Sequence, residues 1–152
     1  MGRLRLFGEL IEAGGAVEGG GGGGGHQIAR VVRTAGDYTT TSTSFVNIDT
    51  SNLVINMTTG ESWVSLLLLG SGYSGTPFIC FDFTIDEERQ GQGKGVQYVQ
   101  APYLQDIQIV WLTQVAAGAH VFRPQWRVTG GSGTLRANPG DSPLVFAVME
   151  LQ

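Results

Sequence analysis

Cysteine occurs once, at Cys80, and histidine twice, at His26 and His120. A single thiol excludes an intramolecular disulfide framework and any cysteine-rich zinc site, and two separated histidines supply no clustered metal site. Charge is sparse as well. Charged residues make up 14% of the chain, nine basic against thirteen acidic, for a net charge of −4. That balance provides no basic face for nucleic acid. Long apolar runs are missing: the longest, Trp63 to Leu69, is broken by Ser65 and falls far below the ~20 residues that span a bilayer. No basic stretch followed by an apolar one opens the sequence, so no secretory signal is expected.

What is plentiful is glycine, 24 of 152 residues, within a chain that is 41% apolar. The length suits one domain, or one domain with an appendage, able to bury roughly 70% of its unfolded surface. Composition shifts abruptly near residue 26. Residues 19–25 are seven consecutive glycines, which bury no side chain and lose the most entropy on ordering. The segment before them is not linker-like. Arg3, Leu4, Arg5, Leu6 and Phe7 alternate basic and apolar character, and Leu10 and Ile11 extend the apolar patch. It is too short to have its own core and needs a surface from another chain or from the main domain. Residues 1–26 therefore read as an N-terminal arm that orders on assembly; the alternative is a tether folded back along its own domain.

From Gln27 onward two-residue alternation dominates. Ile28, Arg30 and Val32 share one strand face. Phe45–Asp49 and Leu53–Met57 flank the turn residues Asp49, Thr50, Ser51 and Asn52. Phe78–Asp86 sets Ile79, Phe81, Phe83 and Ile85 against Asp82, Thr84 and Asp86. His120, Phe122, Trp126 and Val128 line one face of a later strand, with Arg123, Gln125 and Arg127 opposite. Pro124 removes a ladder donor there and points to an edge or a bulge. The pattern predicts an all-β fold over residues 27–152, an antiparallel sandwich or barrel of about eight to ten strands. An antiparallel sandwich strand is normally apolar on one face only. Trp63–Leu69 and Leu144–Met149 are apolar on both, and Ile107–Leu112 nearly so. One copy alone would expose more apolar surface than a monomer usually tolerates, which points to packing against further copies; the alternative is that loops or the arm cover that sheet within one chain. Trp63, Leu67, Trp111, Phe146 and Val148 are the candidate interface residues.

Chemistry-bearing motifs are weak. Asp82, Asp86, Glu87 and Glu88 could pair as carboxylates or bind calcium, but Glu87–Gly91 reads as a solvated hairpin tip. Gly91–Gly95 holds Lys94, yet no Ser or Thr follows and no helix is expected, against a phosphate loop. His120 reads as a core or interface histidine rather than a general base. Asn56–Thr58 is a glycosylation sequon by pattern alone. Cys80 has no basic neighbour in sequence to activate it. Trp111 and Trp126 with Arg123 and Arg127 could form a stacking platform for sugars or bases, against the plainer reading of core tryptophan with outward arginine. No residue set calls for a catalytic centre, a metal or a cofactor.

Three stretches, Arg30–Asp49 (RVVRTAGDYTTTSTSFVNID), Phe81–Gly91 (FDFTIDEERQG) and Ile109–Leu135 (IVWLTQVAAGAHVFRPQWRVTGGSGTL), resemble jelly-roll domains in structural proteins of tailed bacteriophages. The closing strand is similar to the central strand of tumour-necrosis-factor/C1q-like trimers. The resemblance spans residues 28–152 and implies a jelly-roll subunit in a homotrimer. In phages such domains serve as capsid decoration (cement) proteins or as tail-fibre tips. The arm favours the former: three arms on one trimer act together through effective concentration. A tail-fibre tip would continue N-terminally into a shaft, whereas Met1 stands 26 residues before the sheet domain. The expectation is thus a non-enzymatic virion protein on the outer capsid surface, made in the host cytoplasm. Its partners would be itself, the major capsid protein and adjacent decoration trimers, with neither nucleic acid nor membrane. The competing expectations are a receptor- or glycan-binding tip using the Gly70–Pro77 and Gly91–Gly95 loops, and a small sandwich hydrolase.

Overall fold

The computed structural model describes residues 26–75, 78–138 and 142–151. The described chain is a two-sheet antiparallel sandwich of twelve strands: β1 Ile28–Arg33, β2 Tyr38–Thr40, β3 Val46–Asn47, β4 Ile55–Thr59, β5 Ser62–Ser74, β6 Ile79–Ile85, β7 Glu88–Arg89, β8 Gln97–Val99, β9 Gln105–Val115, β10 Gly118–Val128, β11 Gly133–Arg136 and β12 Leu144–Leu151. No helix occurs among these residues. The first sheet runs β1–β12–β5–β9, with β11 and β2 continuing β12 and β1 end to end along β5; the second runs β4–β10–β6–β8, with β3 and β7 continuing β4 and β8. Numbered along the chain, the eight frame strands give the orders 1-8-3-6 and 2-7-4-5. That is the jelly roll, in which a long antiparallel ribbon wraps into two sheets. The strand count exceeds the expected eight to ten because four frame positions are each shared by two short strands.

Inward-facing residues of both sheets make one core. Val64, Leu66 and Leu68 of β5, Ile107 and Ile109 of β9, and Leu144, Phe146 and Val148 of β12 meet Phe81, Phe83, Phe122 and Trp126 of the second sheet. Phe83 and Phe146 stack across the sandwich with ring centres 6.0 Å apart. Each such side chain contributes about 1.5–3 kcal/mol relative to exposure.

Two local expectations change. Pro124 lies in a central strand, not at an edge: β10 pairs β6 on one side and β3 and β4 on the other. The Pro124 carbonyl accepts from Ile48 N–H on the β3 side. In a strand the N–H and C=O of one residue share an edge, so the missing donor faces the break between β4 and β3, where the ladder asks nothing of it. The outer face of β6 is also not solvated. Cys80, Asp82 and Thr84 are buried because Phe45 and residues 90–96 fold over them. Gly95, at φ +81°, lies against the Phe81 carbonyl and the Phe45 ring, a position closed to any Cβ.

Candidate functional site

The strongest surface feature follows from strand parity. Register sets Leu151 beside Trp63 and Trp63 beside Gln114; one step along, Ile28, Met149, Ser65 and Leu112 form a row; the next rows are Arg30, Ala147, Leu67, Val110 and then Val32, Val145, Leu69, Gln108. These residues alternate with the buried Val64, Leu66, Leu68, Phe146 and Val148, so all point out of the first sheet. Most are apolar. Ile28 is 67% exposed and Trp63, Val110 and Leu112 about half, while Leu67, Leu69, Val145 and Met149 are partly buried by their neighbours. Among the described residues nothing covers this face. A largely apolar face that runs across four strands is the kind of surface that marks an interaction site.

The candidate interface residues divide. Trp63 and Leu67 stand on this outer face. Phe146 and Val148 are fully buried in the core of their own chain and are corrected to core residues. Trp111 pairs with inward-facing Leu66 and packs against the core at its rim, with the indole N–H buried and without a partner. Its neighbours Val110 and Leu112 hold the exposed positions instead. Ile28, Val32, Met149 and Leu151 complete a face that sequence reasoning left out. The arm residues Arg3, Leu4, Arg5, Leu6, Phe7, Leu10 and Ile11 lie outside the described residues.

Among the described residues both outer strands of the first sheet, β1 and β9, have an unpaired edge; β9 is the longer, pairing β5 through eleven unbroken positions and nothing on its other side. It holds no Pro, Lys or Arg, the devices that usually blunt such an edge.

The acidic residues singled out in the sequence have structural duties. Asp82 Oδ1 accepts from Phe83 N–H and Gly91 N–H, both at 2.8 Å, and Oδ2 from Arg89 Nε at 2.8 Å and its terminal nitrogen at 2.7 Å. This clasp closes the β6–β7 hairpin over the second sheet. Asp86 and Glu87 form its two-residue turn, both at positive φ, +51° and +72°. Asp86 Oδ1 accepts from Val121 N–H, and Oδ2 meets His120 Nδ1 at 2.7 Å. His120 Nε2 lies 2.9 Å from the Ala116 carbonyl. His120 is thus a largely buried clamp between two turns, at the end of the sandwich rather than in its apolar core. Burial works against its charged form, but the Asp86 hydrogen bond, the Ala116 carbonyl and the Asp86 charge outweigh it and raise the pKa above the usual 6.5. Burial likewise opposes Asp86 ionisation, yet His120 and Val121 N–H hold its pKa below 3.8. Asp49 keeps a pKa of about 2: partial burial is overridden by hydrogen bonds from Asn52, Ser51 and Tyr38 that fix the β3–β4 turn. Burial raises the Cys80 thiol pKa, against the pull of Arg127 and Lys94, so Cys80 is no nucleophile. Trp126 is 2% exposed, which removes it from any stacking platform.

No protein-family model matches the chain, and no curated protein matches it either.

Proposed function

We propose that this chain is a non-enzymatic structural protein of a phage virion. It assembles as a homotrimer through the outer face of its first sheet and decorates the capsid exterior, where its N-terminal arm binds the major capsid protein and adjacent trimers. The observation that carries the reading is the uncovered apolar face around Trp63, Leu67, Val110 and Leu112. Expelling water from it requires another surface, and a further copy of the same chain is the default supplier. The jelly-roll strand order agrees with this, since the architecture recurs in viral coats. The arm enters at a suitable place: β1 begins at Ile28, at the edge of the apolar face and beside Met149.

Native mass spectrometry of the full chain at micromolar concentration tests the assembly. A species of three times the 16.2 kDa chain mass is expected, and a stable monomer refutes it. Deleting residues 1–18 leaves the assembly intact and abolishes attachment to capsid shells. Full occupancy by the truncated protein would remove the arm's role.

A further inference from the structure

The outer face of the second sheet has a different chemistry. Arg89, Lys94, Arg123 and Arg127, four of the nine basic residues, belong to this sheet and the loop that covers it. Asp82 neutralises Arg89. Arg127 donates to the carbonyls of Thr43 and Gly93 at 3.3 and 2.9 Å, which fix the guanidinium without cancelling its charge. Lys94 Nζ stands 4.4 Å from the centre of the Tyr98 ring and 5.6 Å from that of Phe78; the two rings meet edge to face at 5.4 Å. The ion pairs among the described residues involve neither Lys94 nor Arg127. Register puts Tyr98, Cys80 and Arg127 in one cross-strand row, about 10 Å from end to end at two strand spacings. Tyr98 is 49% exposed. Half-open aromatic rings beside two uncompensated cations therefore sit on a chain that is acidic overall.

We propose that this face binds an acidic carbohydrate, a chain of uronate-bearing sugars. The C–H face of a pyranose ring stacks on the electron-rich face of Tyr98, the ring that Phe78 meets edge to face. Carboxylates spaced along the sugar chain take Lys94, which swings off the Tyr98 ring on its flexible stem, and Arg127, which is already held in place. Two cations match the spaced carboxylates of such a polymer. A nucleic-acid strand brings a phosphate at every residue, and its binding requires a longer basic track than a chain of net charge −4 offers here. The site lies on the sheet opposite the apolar face, so it stands or falls separately from the trimer reading.

Isothermal titration of the full chain with a galacturonate oligomer tests it, alongside the methyl-esterified oligomer and a single-stranded oligonucleotide. The galacturonate oligomer binds, and the ester binds at least tenfold more weakly. Lys94→Gln and Tyr98→Ala, both at exposed positions, each weaken binding about tenfold while melting temperature and oligomeric mass stay unchanged. Arg127→Gln weakens it further where it folds; the other two variants decide the outcome without it. No binding at millimolar oligomer, equal binding of the ester, unchanged binding by both variants, or preference for the oligonucleotide overturns the proposal.

Discussion

Substituting the two faces of the same sheet separates the fold from the assembly. Leu112 on β9 is 50% exposed and Phe146 on β12 is fully buried, although both belong to apolar runs of the first sheet. Burying a whole leucine contributes about 1.5–3 kcal/mol, so the exposed half of Leu112 holds about 1 kcal/mol that only a partner can realise. Leu112→Glu forfeits that and brings into the contact a carboxylate whose desolvation costs several kcal/mol. A total near 4 kcal/mol weakens each subunit contact about a thousandfold. The fold of the subunit should change by less than about 1 kcal/mol, because the position is half in water. Phe146→Ala does the reverse. It removes the ring stacked on Phe83 and costs about 3–5 kcal/mol of folding stability. Sedimentation velocity across a dilution series reads the first effect, and urea unfolding of the dissociated subunit the second. Tyr103→Ser, 81% exposed at the far end of β9, serves as the neutral control. If Leu112→Glu assembles with unchanged affinity, the apolar face is not the contact and the functional reading fails with it.

The His120–Asp86 clamp gives a pH dependence with a definite sign. A raised histidine pKa stabilises the fold below the unfolded value of 6.5 and is lost as pH rises through the folded value; the lowered Asp86 pKa stabilises above 3.8 and is lost as pH falls. Stability from the pair is therefore greatest between these values. Because Asp86 is 47% exposed, its size is about 0.5–1 kcal/mol. The urea midpoint should fall between pH 5 and pH 8 in the native chain and much less in His120→Gln; an equal fall in both would exclude the clamp. Asp82→Ala strands Arg89 and two backbone N–H groups and should cost about 3 kcal/mol in chemical denaturation, less than a fully buried pair because Arg89 is partly exposed. A loss under 1 kcal/mol would mean that water replaces the carboxylate. Gly95→Ala sets a Cβ against the Phe81 carbonyl at a left-handed backbone position, and a loss of about 2 kcal/mol or more in thermal unfolding is expected. An unchanged melting temperature would show that the loop relaxes freely.

Strand positions and fold class were legible because alternation survives in most segments. Parity was not legible where both faces are apolar. In Leu144–Leu151 the polar cue is Glu150, which shares a face with Phe146 and Val148 and so marks that face as the outer one. The cue misleads. Glu150 is 1% exposed, its Oε1 accepting from Gly60 N–H and Ser62 Oγ at 2.8 Å, and the face it marks is the core. In β9 the cues are sound: Asp106, Gln108 and Gln114 share the outer face with Val110 and Leu112. Trp111 lies on the other face, with Ile107 and Ile109. Asp82 shares the polar face of its strand with Thr84 and Asp86, and alternation alone leaves that face open, because its shield, Phe45 and residues 90–96, is a loop folded back from the hairpin rather than a further strand. Alternation reports on a sheet's own faces, not on a loop that returns to cover one of them.

That returning loop makes the two sheets a natural comparison. The second sheet roofs its outer face with Phe45 and residues 90–96, and beneath the roof lie the modest side chains of Cys80, Asp82 and Thr84. Among the described residues nothing roofs Trp63, Val110 and Leu112 of the first sheet. A chain shaped only for solubility as a single copy would gain more by covering the more apolar sheet. The coverage runs the other way, as expected if further copies are the missing roof. In a ring closed through the first sheet, the second sheet of each subunit must face outward. The patch at Tyr98 and Lys94 then points away from the contact. It also sits toward the opposite end of the sandwich from Ile28, where the arm joins: Ile28 lies in the row of Ser65, whereas Ile79, next to Cys80, lies against Gly133 in the row of Ser74, roughly 30 Å further along β5. Assembly, attachment and ligand capture would thus occupy three different surfaces, and a substitution that disables one should leave the other two at their native strength.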